Sequence, residues 1–133
     1  MSEKAILVSL VTGRANPYEA EESLEELGRL ANTAGAQVID IVVQRRQRPD
    51  PAYFIGKGKV EELAKGVADS GATLVVFDHP LSPSQAFKIK EAVGCRVIDR
   101  SELIMDIFAL HARTAEAKIQ VEMAQLQIGR AHV

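Results

Sequence analysis

Along the chain, short apolar runs alternate with segments whose apolar residues recur at helical spacing. Ala5 to Val11 is nearly continuous in aliphatic and β-branched residues, the pattern of a strand buried on both faces, and Thr12-Gly13-Arg14 ends it. Pro17 suits the first turn of a helix, and Glu19, Glu21 and Glu22 complement the positive end of its dipole. Leu24, Leu27, Leu30 and Ala31 give that helix its apolar face, with Gly35 placed to stop it. Val38 to Val43 reads as a second strand. The following Gln44-Arg45-Arg46-Gln47-Arg48-Pro49-Asp50-Pro51 lacks apolar residues and carries two prolines, so it reads as a loop or linker. Tyr53-Phe54-Ile55 is a brief apolar return before Gly56-Lys57-Gly58-Lys59 opens a helix on Val60, Leu63, Ala64 and Val67. Ala72 to Phe77 predicts a third strand, closed by Asp78-His79-Pro80. Ser82 and Pro83 then start a helix that turns Ala86, Phe87, Ile89 and Val93 to the core. Gly94 stops it, and Cys95 to Ile98 makes a short fourth strand. Strands separated by helices predict an α/β fold: a three-layer parallel sheet of about four strands with flanking helices and right-handed crossovers.

The last segment behaves differently. From Glu102 onward, Ile104, Phe108, Ala112, Ala115, Ile119, Met123 and Leu126 recur at steps of three and four. Asp99 and Glu102 form a capping-box pattern at the start, and no glycine or proline interrupts the stripe before Gly129. A helix of about 25 residues reaches ~40 Å, farther than a four-stranded sheet can cover, so its distal half calls for a partner. The division expected is an α/β domain over residues 1–100 and a long helix over 101–127. Ile128-Gly129-Arg130-Ala131-His132-Val133 departs from the stripe and reads as translated sequencing adapter, so residues 128–133 are set aside from fold reasoning. On this reading the chain is the front of a longer protein, broken off inside a helix.

Charge adds one local feature. The formal net charge is −2, so no global positive field draws the chain to nucleic acid. Arg45, Arg46, Arg48, Lys57 and Lys59, against Asp50 alone, nevertheless concentrate positive charge in residues 44–59. Phosphate contact is the natural use of such arginines, and they are the RNA-contact candidates, with Tyr53 or Phe54 either stacking on a base or tucked into the core. The single cysteine, Cys95, excludes an internal disulfide and fits a reducing compartment as an inert core thiol. Met1 to Lys4 leads straight into Ala5-Ile6-Leu7-Val8, too short and strand-like for a signal peptide or membrane span, so a cytoplasmic protein is expected.

No G-x-x-x-x-G-K-[ST] run is present to wrap a nucleotide's phosphates. Gly56-Lys57-Gly58-Lys59 has the wrong spacing, and three uses stay open for it: a helix entry with solvated lysines, contact with RNA phosphate, or a bound free nucleotide. Asp78 at the end of a strand suggests a receiver-type phosphoacceptor. That chemistry needs an acidic pair after the first strand, where this chain has Val11-Thr12-Gly13-Arg14, so Asp78 reads better as a turn cap. His79 and His111 have no partner at metal-ligand spacing. No catalytic, cofactor-binding or metal-ligating residue is therefore assigned.

Tyr53-Phe54-Ile55-Gly56-Lys57-Gly58-Lys59-Val60-Glu61-Glu62-Leu63 is similar to a signature near the start of the HflX family of GTPases. Leu74 to Ser84 and Val97 to Gln127 resemble the same family in the same order. Two departures lie on the long helix: His111 where the family usually has arginine, and Ala117 where it has glycine. The resemblance implies a three-part protein, in which this α/β domain precedes a pair of long antiparallel helices and a Ras-like G domain. Residues 101–127 would then be the first arm of the helical hairpin. It also implies GTP and Mg2+ as ligands of the longer protein, the large ribosomal subunit and its rRNA as partners, and a role in splitting or rescuing stalled ribosomes. The missing helical arm and G domain would be partners within the same polypeptide. The rival from another class is an independent nucleotide (ATP)-binding α/β module.

Overall fold

The computed structural model describes residues 3–131, with side chains through residue 126. In chain order it contains β1 (Lys4–Thr12), α1 (Pro17–Thr33), β2 (Gln37–Arg46), α2 (Lys57–Ser70), β3 (Leu74–Phe77), α3 (Pro83–Val93), β4 (Arg96–Asp99) and α4 (Arg100–Ala131). The strands form one sheet in the order β2-β1-β3-β4, and every neighbouring pair is parallel. The three-layer parallel α/β expectation is met. The side chains of residues 128–133, read above as foreign sequence, lie outside the described residues.

β1 is interior, paired with β2 on one side and β3 on the other, which is why its sequence is apolar without alternation. The two-residue period of a strand still sorts its side chains. Ile6, Val8 and Leu10 join Val60, Leu63 and Val67 of α2 and Ile89 and Val93 of α3 in one core. Ala5 and Leu7 join Leu24, Leu27 and Ala31 of α1 and Leu103 of α4 in the other. Local signals set the ends of the elements. Asn16 accepts a hydrogen bond from the Tyr18 N–H ahead of Pro17, and Ser82 and Gln85 form a reciprocal capping box on α3.

Three sequence expectations change. Arg45 and Arg46 belong to β2 and not to the loop, because the ladder continues opposite Val11 and Thr12. Phe87 does not face the core: it is 65% exposed, while Ile89 and Val93 are buried, since a step of one residue turns a side chain ~100° round the helix. On α4 the packed seam runs through Leu103 and Ile107, one position before the expected Ile104 and Phe108, and Phe108 is 66% exposed. Beyond Ile107 every described side chain of α4 is exposed, Ile119, Met123 and Leu126 included. Asp99 caps α4 by accepting the Glu102 N–H at 3.1 Å, the first half of the expected capping box. Cys95 is half-buried, and burial pushes its thiol pKa up, in keeping with an inert side chain.

Where β3 ends, a side chain prolongs the ladder. The Asp78 N–H donates to the Val8 carbonyl at 2.9 Å, and the Leu10 N–H donates to Nε2 of His79 at 3.0 Å. Phe54 lies against this imidazole at 5.6 Å and edge-on to Phe77 at 5.9 Å. Phe54 has a positive φ of 57°, unusual for a bulky residue, and the loop around it holds that conformation. Asp50 and Phe54 exchange two backbone hydrogen bonds, Asp50 Oδ2 accepts the Ala52 and Tyr53 N–H groups, and Gln85 Nε2 donates to the Asp50 carbonyl. Phe54 is therefore a core residue, and Tyr53 is half-buried beside it.

Two stability predictions follow from these contacts. Leu103→Ala should cost about 2–5 kcal/mol in urea unfolding through lost burial and a residual cavity, whereas Phe108→Ala should stay within about 0.5 kcal/mol. Equal losses would contradict the seam described. Burial lowers the His79 pKa from 6.5, with nearby Arg100 acting the same way and Asp78 opposing. A lowered folded-state pKa means that the unfolded chain binds the proton first, so stability is complete above about pH 6.5 and falls as pH drops below it. The urea midpoint should decrease from pH 7.5 to pH 5.5, and His79→Gln should flatten that dependence. An unchanged wild-type midpoint across the interval would remove the assignment.

Candidate nucleic-acid interface

All four strands point the same way, so Thr12, Arg46, Phe77 and Asp99 deliver their following residues to one edge of the sheet. In open parallel sheets, ligands bind outside this edge where successive connections leave for opposite sides. Here that point lies between β1 and β3, and the protein's own side chains fill it. His79 is held by Leu10 and covered by Phe54. Asp78, whose side chain is 1% exposed, accepts Nε of Arg100 at 2.8 Å and Nη2 at 2.6 Å on the same oxygen. Its partner is thus an arginine 22 residues on, and not the turn that the sequence suggested. A carboxylate neutralised in this way is not a free phosphoacceptor.

The open part of the edge lies to one side, at the ends of β1 and β2. Two adjoining hollows of about 380 and 500 Å³ occupy it. Val11, Gly13, Arg45, Arg46 and Gln47 line the first, and Arg46, Gln47, Arg48, Pro49 and Pro51 line the second. Neither has an acidic lining residue, and the Asp50 carboxylate is turned to backbone N–H groups. The five basic candidates are not equivalent. Arg45 and Arg46 are successive strand residues, so they leave opposite faces of the sheet. Arg45 is exposed and also borders a hollow with Pro17, Tyr18 and Glu21 on the α1 side.

Arg46 turns to the α2 side. Its Nε donates to the Arg48 carbonyl at 3.2 Å, and its guanidinium lies over Gly56. The backbone at Gly56 has a φ of 96°, which favours glycine, and a Cβ there would stand 2.5 Å from Arg46 Nη1 and displace the guanidinium. Lys57, the first residue of α2, is exposed, while Lys59 Nζ is paired with Glu62 at 3.0 Å. The fold thus gathers Arg46, Arg48 and the Gly56-Lys57 helix entry, keeps Arg45 on the rim of the same hollow, and largely neutralises Lys59. It adds Arg14, exposed just past the end of β1, where the Gly13 N–H donates to the Arg46 carbonyl at 3.1 Å. Arg14 was not among the sequence candidates because it is remote from residues 44–59, and only strand pairing brings it there.

The chemistry this surface offers is that of cationic donors to anionic oxygens, whether of carboxylate or of phosphate. Phe54 cannot stack on a base, since it is buried. Among the described residues no group of histidine, cysteine and acidic side chains is placed to hold a metal. No described helix is long and apolar enough to cross a membrane.

Comparison with known proteins agrees with this architecture. Residues 21–109 match a family described as GTP-binding GTPase N-terminal. The chain is 43% identical over 125 residues to GTPase HflX of Escherichia coli (strain K12), covering 94% of this chain and 29% of that protein. It is 44% identical over 127 residues to GTPase HflX of Lacrimispora saccharolytica, covering 96% and 30%. A crystal structure of a GTP-binding protein from Sulfolobus solfataricus in complex with GDP superposes with a TM-score of 0.62 at 26% identity, over 96% of this chain and 36% of that one. The chain spans about three-tenths of the length of these curated relatives. The match over residues 21–109 takes in more than half of the chain, which therefore belongs to the GTP-binding GTPase N-terminal family and is similar over most of its length to part of the HflX GTPases.

Proposed function

We propose that this chain is the ribosome- and RNA-docking domain of an HflX-like GTPase in the cytoplasm. The longer protein would bind the large ribosomal subunit and help to split or rescue stalled ribosomes, using GTP and Mg2+ in a G domain outside this sequence. The observation that carries the reading is the pair of acid-free basic hollows at the open edge of the sheet, beside a ligand crevice filled by His79 and Arg100. Such a surface suits an extended polyanion better than an enclosed small molecule. The acidic residues of α1, Glu21 and Glu25 among them, line hollows on the α1 face, Glu21 sharing one with Arg45, while the hollows around Arg46 and Arg48 have no acidic lining residue, so the charge asymmetry orients the domain with its β1–β2 edge toward RNA.

The test is binding of the longer protein to purified large subunits across a salt series. Arg45→Ala, Arg46→Ala and Arg48→Ala combined should weaken binding and flatten the log–log salt slope by up to about three if each arginine neutralises a phosphate. The Arg45→Ala, Arg48→Ala double variant spares the Arg46–Gly56 contact and should flatten it by up to about two. GTP affinity should not change. Wild-type affinity and slope in both variants would leave the arginines as a solvated rim and end the proposal.

One observation favours the rival reading of an ATP-binding module: Gly56 and Lys57 open α2 beside the Arg46 guanidinium, which could attract a free phosphate group. Calorimetric titration of the chain with ATP and with GTP should give no saturable binding and no hydrolysis. Saturable binding of ATP, lost in Lys57→Ala, would favour that reading over docking.

A further inference from the structure

The long helix is held to the body over a short root. Leu103 and Ile107 are its buried contacts, and from Phe108 to Leu126 every side chain is exposed. The exposed part is a lever. Over the 19 residue steps from Ile107 to Leu126, at ~1.5 Å per step, a tilt of about 10° at the root moves the far end by about 5 Å. Any partner engaged by the distal helix therefore depends on how sharply the root fixes its direction.

Apolar packing is a poor angular restraint, because burial is non-directional and two side chains on one seam let a helix roll and tilt. The directional bonds at the root are few. Asp99 accepts the Glu102 N–H at 3.1 Å and the Leu81 N–H at 3.1 Å, which pins the start of the helix to the β3–α3 connection. A single pinned point allows pivoting. Arg96 and Asp106 pair at 2.9 Å, but both are substantially exposed, and such pairs are weak restraints.

Arg100 supplies the second point. As the first residue of α4 it donates Nε and Nη2 to the buried Asp78 carboxylate at the end of β3. It also reaches α1, donating Nη2 to the Ser23 carbonyl at 2.8 Å and to its Oγ at 2.9 Å, and Nη1 to Glu26 Oε1 at 2.8 Å. The planar fork of a guanidinium fixes the angles between these partners, which an ammonium cannot do. We propose that Arg100 is the positioning residue that sets the direction of α4 against the sheet, by holding β3 and α1 at once. The inference rests on the helix root alone, so it stands or falls independently of RNA binding.

Pulsed electron paramagnetic resonance on the chain tests it. In a Cys95→Ala background, spin labels at Asn32→Cys and Glu122→Cys report the distance from α1 to the arm. Labels at Ala109→Cys and Glu122→Cys, about 20 Å apart along the helix axis, report whether the arm itself stays helical. Arg100→Ala should at least double the width of the body-to-arm distribution and leave the within-arm distribution unchanged. Arg100→Lys should give an intermediate width. If Arg100→Ala does not fold by circular dichroism, Ser23→Ala with Glu26→Ala removes the two side-chain acceptors on α1 while leaving Asp78 and the Ser23 carbonyl paired, and should broaden the body-to-arm distance by a smaller amount. A body-to-arm width equal to the parent's overturns the proposal. Parallel broadening of both distributions also overturns it, because the arm would then be melting and not swinging.

Discussion

β1 sits between two parallel neighbours, and its side chains pass alternately into two separate cores. Parallel pairing in the middle of a sheet leaves no face for water, so β1 must be apolar on both sides and every helix must supply an apolar stripe to cover it. α2 and α3 cover one face, while α1 and the root of α4 cover the other. The crossovers that parallel pairing demands also fix where the loops emerge, and hence which polar residues can share an edge.

That edge has two halves with different fates. At the β1–β3 reversal, Asp78, His79 and Arg100 bond to one another's neighbourhood so fully that the crevice is part of the scaffold. A side chain, His79, takes the ladder position that the short β3 leaves vacant. A polar group buried at a sheet end must find a partner or cost free energy, and here each does. At the β1–β2 end no such closure occurs, and the arginines stand at an open rim. The same physics that removes a small-molecule pocket from the middle of the edge leaves a cationic surface beside it.

α4 leaves this scaffold as a long arm. Its first two turns are built as a domain helix, capped by Asp99 and packed through Leu103 and Ile107. Its remainder has apolar side chains on the surface, among them Ile119, Met123 and Leu126, and most helical stability in proteins comes from packing of that kind of face. The helix therefore changes character near Phe108, from an element of the α/β domain to an arm that needs covering.

Much of this was legible in the residues themselves. The strand at Ala5 to Val11, the caps at Ser82 and Asp99, and the alternation of strand and helix are local patterns, each governed by neighbours within a few positions. They were enough to determine a parallel α/β sheet and a long terminal helix. The basic concentration at residues 44–59 was equally visible as composition. Tertiary structure decided the rest. Pairing with Val11 and Thr12 drew Arg45 and Arg46 into β2 and sent them to opposite faces. A rotation of one residue put Leu103 and Ile107 on the seam in place of Ile104 and Phe108, and left Phe87 in solvent. Arg100 carried no periodic or motif signal, and its role exists only because β3, α1 and α4 converge on one guanidinium. Propensity and spacing act along the chain, whereas these choices depend on which distant surfaces meet, and the sequence determines that only through the whole packed fold.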